Sequence, residues 1–153
     1  MDIKKLLRSL LDHKVRFLIV GAWALPAYGR ERMTRDVHVF IKPTKANAER
    51  TMEALMAVGY GIVKDTPVSL FLSKKILLRQ YPMQVDLHPF VAGISFGTAW
   101  KNRVETEIKG LRIFVPSLDD LIKMKKAAGR AKDREDLRER EKIRQKETAK
   151  KTM

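Results

Sequence analysis

Two short stretches of the sequence each place an Asp and a His two residues apart. Asp36 and His38 lie in TRDVHVFI, and Asp86 and His88 lie in MQVDLHPF. Residues two apart on a β-strand project from the same face, so each pair would point together while the flanking apolar residues face a core. A carboxylate among apolar residues is costly unless it is paired or bound to a metal. If the two strands are neighbours and both pairs face one cleft, the four side chains could hold a divalent metal.

Each of these residues also has a purely structural interpretation. Asp36 could lie at the exposed start of its strand and bond to Arg32 or Arg35. His88 directly precedes Pro89, where strands tend to end, and could be a loop histidine. The types and spacing alone leave both interpretations open.

A glycine ends the apolar segment VRFLIV at position 21, and AWALPAYG after it predicts a short helix closed by Gly29. A glycine at such a turn lets the backbone approach a ligand, and the N–H groups of a helix start attract phosphate. Gly21 and Ala22 are therefore candidate phosphate-binding positions, although an ordinary turn explains the same pattern.

The composition indicates one soluble globular domain. A chain of 153 residues, 44% apolar and 33% charged, can bury a sizeable core. No apolar run approaches the roughly 20 residues of a membrane span, and the N-terminal residues lack the features of a signal peptide. The absence of cysteine excludes disulfides and thiolate ligands and favours a cytoplasmic location.

The net charge of +14 is the strongest bulk property of the chain. Residues 130–153 contribute +4 of it and residues 1–129 contribute +10, so the excess belongs to the body of the protein. A polyanionic partner such as RNA or nucleotide phosphates would explain it, and so would a surface of the kind found in thermophiles.

Several elements must position these residues. Apolar periodicity and capping residues predict helices over 2–13, 22–29, 44–58 and 117–129, with Thr44 and Ser117 as caps. Apolar runs predict strands at 15–20, 36–41, YGIVK, SLFLS, KILLRQ, MQVDLH and LRIFVP, while GISFGTAWKNRV is ambiguous. The pattern predicts an α+β (mixed α/β) fold, a small mixed sheet flanked by helices. Residues 1–137 would form this domain and 138–153 a charged helix or tail, partly disordered.

The segment FLIVGAWALPAYGRERMTRDVHVFI resembles the signature of minimal nucleotidyltransferases of the DNA polymerase β-type fold, the group that includes the AbiEii-like toxins. Gly21 matches the family's glycine, Arg32 and Thr34 its Arg-x-Thr, Asp36 its first acid and Asp86 its third. The segment PSLDDLIKMKKAAGRAKDREDL is similar to the group's closing elements. The resemblance covers about residues 15–137.

The resemblance implies a metal-assisted transfer of an NMP from an NTP to an acceptor hydroxyl. Asp36 and Asp86 would hold Mg²⁺, and Asp86 would also be the candidate to take the proton. Gly21, Ala22, Arg32 and Thr34 would contact the nucleotide. Lys123, Lys125 and Lys126 are candidates to neutralise the triphosphate.

The chain departs from the family's pattern at two positions, Ala22 and His38. Ala22 stands where the family has a second Gly or Ser, which leaves the backbone N–H in place. His38 stands where the family has its second acid, and imidazole is a poor ligand for Mg²⁺. One interpretation is a metal site of Asp36, His38, Asp86 and His88 suited to Mn²⁺ or Zn²⁺. A second is a fold that has lost catalysis, and a third is a histidine with no role in the site.

Two hypotheses about function follow. In the first the protein is a nucleotidyltransferase whose acceptor is RNA, such as tRNA, with a protein hydroxyl or an antibiotic-like small molecule as alternatives. In the second it is a degenerate nucleotide- or RNA-binding module, or one component of a toxin–antitoxin pair with a partner protein. The residue at position 38 discriminates between them, since an acid would favour the enzyme.

Overall fold

A four-stranded mixed sheet in the order β1-β2-β4-β3 forms the centre of the fold. The computed structural model describes residues 2–29, 36–79 and 83–129. The strands of this sheet are β1 (Phe17–Val20), β2 (Asp36–Ile41), β3 (Ile76–Leu78) and β4 (Gln84–His88). Strands β2 and β4 run parallel, and β1 and β3 run antiparallel to their neighbours. The predicted α+β class with a small mixed sheet flanked by helices is confirmed.

Helices cover both faces of the sheet. They are α1 (Ile3–Asp12), α2 (Lys45–Ala57), α3 (Leu70–Ser73), α4 (Phe96–Lys101) and α5 (118–129), with 3-10 helices at Gly21–Tyr28 and Gly61–Asp65. Thr44 caps α2 by accepting a hydrogen bond from the Asn47 N–H, as its sequence predicts. Ser117 accepts one from the Asp120 N–H at the start of α5. None of the helices in the described ranges is long and apolar enough to cross a membrane.

Alternation along β2 divides the core into two clusters. Val37, Val39 and Ile41 are fully buried in the larger cluster, which includes the apolar residues of α1 and α2. Phe40 points to the opposite face, where it packs in a smaller cluster with Phe96 of α4. Asp36 and His38 share the face of Phe40, because residues two apart on a strand project to the same side.

A separate hairpin, β5 (Val104–Ile108) and β6 (Leu111–Val115), lies beside β1 and α1. Its turn residues Lys109 and Gly110 both have positive φ, as a two-residue turn between twisted strands requires. The ambiguous segment GISFGTAWKNRV contains α4, and the sequence did not predict β5.

Two predicted strands are wrong. YGIVK forms the 3-10 helix Gly61–Asp65, and SLFLS contains helix α3. Both are short apolar runs whose period cannot separate a strand from one or two helical turns. Both segments still supply buried core residues, Tyr60 from the position before the 3-10 helix and Phe71 from α3. Arg32, Thr34 and the proposed tail 138–153, with its boundary at residue 137, lie outside the described residues.

Candidate active site

The parallel pairing of β2 with β4 places His38 directly opposite Asp86. Nδ1 of His38 lies 3.6 Å from Oδ2 of Asp86. Directly paired residues of neighbouring strands project from the same face of a sheet, so the Asp36–His38 and Asp86–His88 pairs lie on one side. The two strands are neighbours, as a shared site requires.

His88 completes the cluster from the end of β4. Its Nε2 lies 2.9 Å from Nδ1 of His38, within hydrogen-bonding distance, and the two rings stack with centroids 5.2 Å apart. One of these nitrogens must donate and the other accept, so the pair is compatible with two neutral imidazoles.

Asp86 is the most buried charged group of the cluster, at 2% exposure. Its carboxylate accepts a hydrogen bond from Nη1 of Arg79 at 2.9 Å. Nζ of Lys75 lies 3.8 Å from its other oxygen. A buried carboxylate needs such partners, because an unpaired one would pay a large desolvation cost. Asp86 is therefore a carboxylate held between cations.

Burial, together with smaller effects of the neighbouring His38 and Lys75, lowers the pKa of His88 to about 4, while Asp86 opposes the shift. Its imidazole is consequently neutral at pH 7. A neutral imidazole has a lone pair available for a metal ion.

The cluster has the composition of a metal site. One ligand atom from each of His38, Asp86 and His88 lies within 4.8 Å of the others. Asp36, at the first residue of β2, is half-buried and is not a member of this group. Two imidazole nitrogens and one carboxylate oxygen are a donor set that suits Mn²⁺, Fe²⁺, Ni²⁺ or Zn²⁺ better than Mg²⁺.

Gly21 lies against the His38 ring at the end of β1. Its φ of +72° is left-handed, and a Cβ at this position would come within 3.1 Å of Cδ2 of His38. A side chain would therefore strain the backbone and press on the imidazole. The glycine allows the turn and the histidine to occupy adjacent space.

A cleft of about 880 Å³ opens beside the cluster. Gly21, Ala22, His38 and His88 lie on its wall, and much of the remaining lining is apolar. Helix α5 supplies Leu118, Leu121, Ile122, Met124, Lys125 and Ala128. These positions follow the helical repeat, so Lys125 faces the cleft, whereas Lys123 and Lys126 fall between the repeat positions and do not line it.

Sequence reasoning missed Lys75 and Arg79, the two cations that contact Asp86. They flank β3, and only the antiparallel pairing of β3 with β4 brings them to the carboxylate. The sequence signal for these two cations was the pair of basic residues that flank the apolar run ILL within KILLRQ. It could not show which strand β3 would pair with.

Comparison with known sequences assigns the chain to a family. The sequence model of the family described as "Nucleotidyltransferase of unknown function (DUF6036)" matches residues 1–148. The chain belongs to this nucleotidyltransferase family. The resemblance to nucleotidyltransferases is thus confirmed, while the DNA polymerase β-type group, its AbiEii-like subgroup and the replacement of an acid by His38 stay predictions. No curated protein matches the chain.

The fold of this nucleotidyltransferase family member is also found in a solved structure. The crystal structure of "a putative nucleotidyltransferase" from Thermotoga maritima superposes with a TM-score of 0.62 at 18% sequence identity. The match covers 90% of this chain and 88% of the other. At this identity the likeness shows a shared fold.

Proposed function

We propose that the protein transfers an NMP from an NTP to an acceptor hydroxyl, and that the reaction takes place in the cleft beside His38, Asp86 and His88. The observation that carries the proposal is the convergence of three potential metal ligands within 4.8 Å, next to the glycine turn at Gly21. Membership of a nucleotidyltransferase family supports the same reaction class.

The donor set fits a divalent transition metal such as Mn²⁺ or Zn²⁺ better than Mg²⁺, the ion implied by the family. His38 and His88 would supply nitrogen ligands and Asp86 an oxygen. Asp36 lies two residues before His38 on the same face of β2 and is a candidate for a further oxygen ligand. When bound, the ion would reduce the negative charge of the triphosphate and favour attack by the acceptor hydroxyl.

Other residues of the cleft would bind and orient the nucleotide. Gly21 and Ala22 place backbone groups on the cleft wall, close to where phosphates would approach the metal. Lys75 and Lys125 are the lysines in the described part of the lining and would pair with the phosphates. By resemblance Arg32 and Thr34 would also contact the nucleotide.

RNA is the acceptor that best fits the charge of the chain. Residues 1–129 carry a net charge of +10, so the positive excess belongs to the domain that holds the cleft. A polyanionic acceptor would be attracted to such a surface at low ionic strength. We place this reaction in the cytoplasm, consistent with the lack of cysteine.

A degenerate binding module is the second candidate, and the contacts of Asp86 favour it. Arg79 and Lys75 already neutralise this carboxylate. By the resemblance, His38 stands where the family has an acid, and imidazole is a poor ligand for Mg²⁺. In that case the cleft would bind a nucleotide or RNA without transfer, and the protein could act with a partner in a toxin–antitoxin pair.

Incubation with each α-labelled NTP and total RNA, in Mg²⁺, Mn²⁺ or Zn²⁺, separates these candidates. Transfer by the wild type that is lost in Asp86→Asn and retained in Lys74→Gln supports the enzyme. Lys74 is a suitable control because it is exposed and does not line the cleft. Transfer by His38→Asp alone would indicate a site disabled at one position. If both the wild type and His38→Asp bound nucleotide but neither transferred NMP, the binding module would be supported.

A further inference from the structure

Two arginines lie against the indole of Trp100 in α4. Cζ of Arg103 is 4.2 Å from the centroid of the Trp100 ring, and Cζ of Arg16 is 5.8 Å from it. The two guanidinium carbons are therefore at most about 10 Å apart, by addition of their distances to the shared centroid. Arg103 also lies 4.7 Å from the centroid of Phe114.

Hydrogen bonds fix the backbone of Arg16 and the side chain of Arg103. The fully buried side chain of Asn47 accepts a hydrogen bond from the Arg16 N–H and donates to the carbonyls of Arg16 and Lys42. Lys42, in turn, donates its N–H to the Arg16 carbonyl at 3.1 Å, which brings a third cationic residue beside Arg16. Nη1 of Arg103 donates to the Trp100 carbonyl at the end of α4.

Carboxylates do not neutralise these arginines within the described ranges, where all three ion pairs involve Asp86. Glu105 pairs with Phe114 in the hairpin register, but it forms no ion pair with either guanidinium. Because both guanidinium groups lie near one indole ring, an anion bound beside that ring would be attracted by both. A phosphate matches the planar donor geometry of guanidinium.

The arginine pair faces the same side of the sheet as the cleft. Arg16 precedes Leu18 by two residues and Val20 by four, so strand alternation places the three on one face. Val20 lines the cleft. Four residues of extended strand span about 13 Å. Because Leu18 between Arg16 and Val20 is buried against α4, an RNA chain joining the two places would cross the outside of that helix.

We propose that single-stranded RNA binds to the surface formed by Arg16, Lys42, Trp100 and Arg103, which we call the Trp100 surface. One end of this RNA reaches the cleft. That the RNA serves as acceptor rests on the proposed function, whereas its binding does not. Guanidinium groups stacked on aromatic rings present planar faces to unstacked bases and donors to phosphates. A single strand exposes both its bases and its phosphates, whereas a duplex hides its bases.

Fluorescence anisotropy with a labelled single-stranded 20-nucleotide RNA tests this surface. The measurement is made in EDTA without NTP, so it is independent of the metal site and of transfer. We expect Arg16→Gln/Arg103→Gln to weaken binding at least tenfold. Because the variant removes two cations that would pair with phosphates, the slope of log K against log salt should fall by about 1.4.

Lys64→Gln/Lys74→Gln is the matched control, because it removes two exposed charges elsewhere and leaves the net charge equal to that of the arginine variant. We expect it to change the affinity less than twofold. Arg103→Lys keeps the charge but loses the planar stack, and should show an intermediate loss. Thermal unfolding of each variant checks that the fold is retained.

Equal losses in the arginine and control variants would overturn the proposal, since they would show binding to net charge alone. Duplex RNA or anionic lipid vesicles bound as tightly as the single strand, with the same dependence on Arg16 and Arg103, would also overturn it. If the wild type bound RNA at the Trp100 surface but transferred no NMP to it, the result would instead count against the proposed function.

Discussion

Nδ1 of His38 lies 2.9 Å from Nε2 of His88, across the parallel strands β2 and β4. The contact joins two histidines 50 positions apart in the chain. It also brings both imidazoles beside the Asp86 carboxylate, whereas Asp36 pairs with Gln84 and lies outside this group. Three of the four residues of the repeated Asp-x-His spacing, His38, Asp86 and His88, thus form one cluster in the fold.

The imidazole of His88 should titrate near pH 4, because its pKa lies well below the value of about 6.5 for an exposed histidine. Burial is the main cause, because it disfavours the charged ring. The chemical shift of the His88 ring C–H, followed by NMR against pH and assigned with His88→Asn, measures it. A midpoint near 6.5 would show that the ring is solvated.

The same shift predicts how stability depends on pH. The folded-state pKa of His88 lies below the unfolded value, so its contribution is fully present above about pH 6.5 and is lost as the pH falls toward about 4. Urea unfolding at several pH values should show a smaller loss over this window in His88→Asn than in the wild type. Equal losses in both proteins would contradict the prediction.

Gly21→Ala should destabilise the protein by about 1–2 kcal/mol, because its left-handed φ disfavours a side chain. It should also weaken metal binding, because the new methyl group would press on the His38 ring. Gly61→Ala is the control, since a Cβ there meets nothing within 4 Å and its φ is not positive. Urea unfolding and metal titration of both variants measure the two effects. Similar behaviour of the two variants would contradict the role given to Gly21.

Lys75→Gln should have opposite effects on two ligands. Removing the cation 3.8 Å from Asp86 should tighten binding of a divalent metal, because the ion no longer competes with Lys75. The affinity for NTP should fall, because Lys75 lines the cleft. Calorimetry with metal and with NTP, using Lys74→Gln as control, measures both. A decrease in both affinities, or in neither, would contradict this arrangement.

His38→Asp should shift the metal preference toward Mg²⁺. The substitution replaces a nitrogen ligand with an oxygen and adds a negative charge next to Asp86. We expect the ratio of Mg²⁺ affinity to Zn²⁺ affinity to rise by at least about tenfold, equivalent to ~1.4 kcal/mol. His13→Asp is the control, since His13 ends α1 and contacts Ser9 away from the cleft. An unchanged ratio would show that position 38 does not contact the metal.

Much of the fold could be predicted from the sequence because local signals agreed. The apolar repeat of α1, the Thr44 cap and the alternation in DVHVFI each specify one element. YGIVK and SLFLS gave no such agreement, because their apolar residues suit either a strand or a helical turn. The hairpin at Lys109 and Gly110 carried a turn signal, but β5 is mostly exposed and lacks an apolar pattern.

The candidate site was predictable in its residue types and less so in its partners. Spacing along β2 and β4 was enough to expect each Asp-x-His pair on one face of its own strand, whereas the pairing of the two strands came from the structure. The contacts of Asp86 with Lys75 and Arg79 depend on the position of β3, which is long-range information. Which lysine of α5 faces the cleft depends on the rotation of the helix about its axis.

The central claim is a divalent-metal centre at His38, Asp86 and His88. Its most direct test is isothermal titration calorimetry of the wild type with Mn²⁺, Zn²⁺ and Mg²⁺. The structure predicts one site per chain, with Mn²⁺ or Zn²⁺ bound more tightly than Mg²⁺ and with that preference lost in His88→Asn. Absence of binding by all three ions, with and without NTP, would contradict a metal centre formed by these residues.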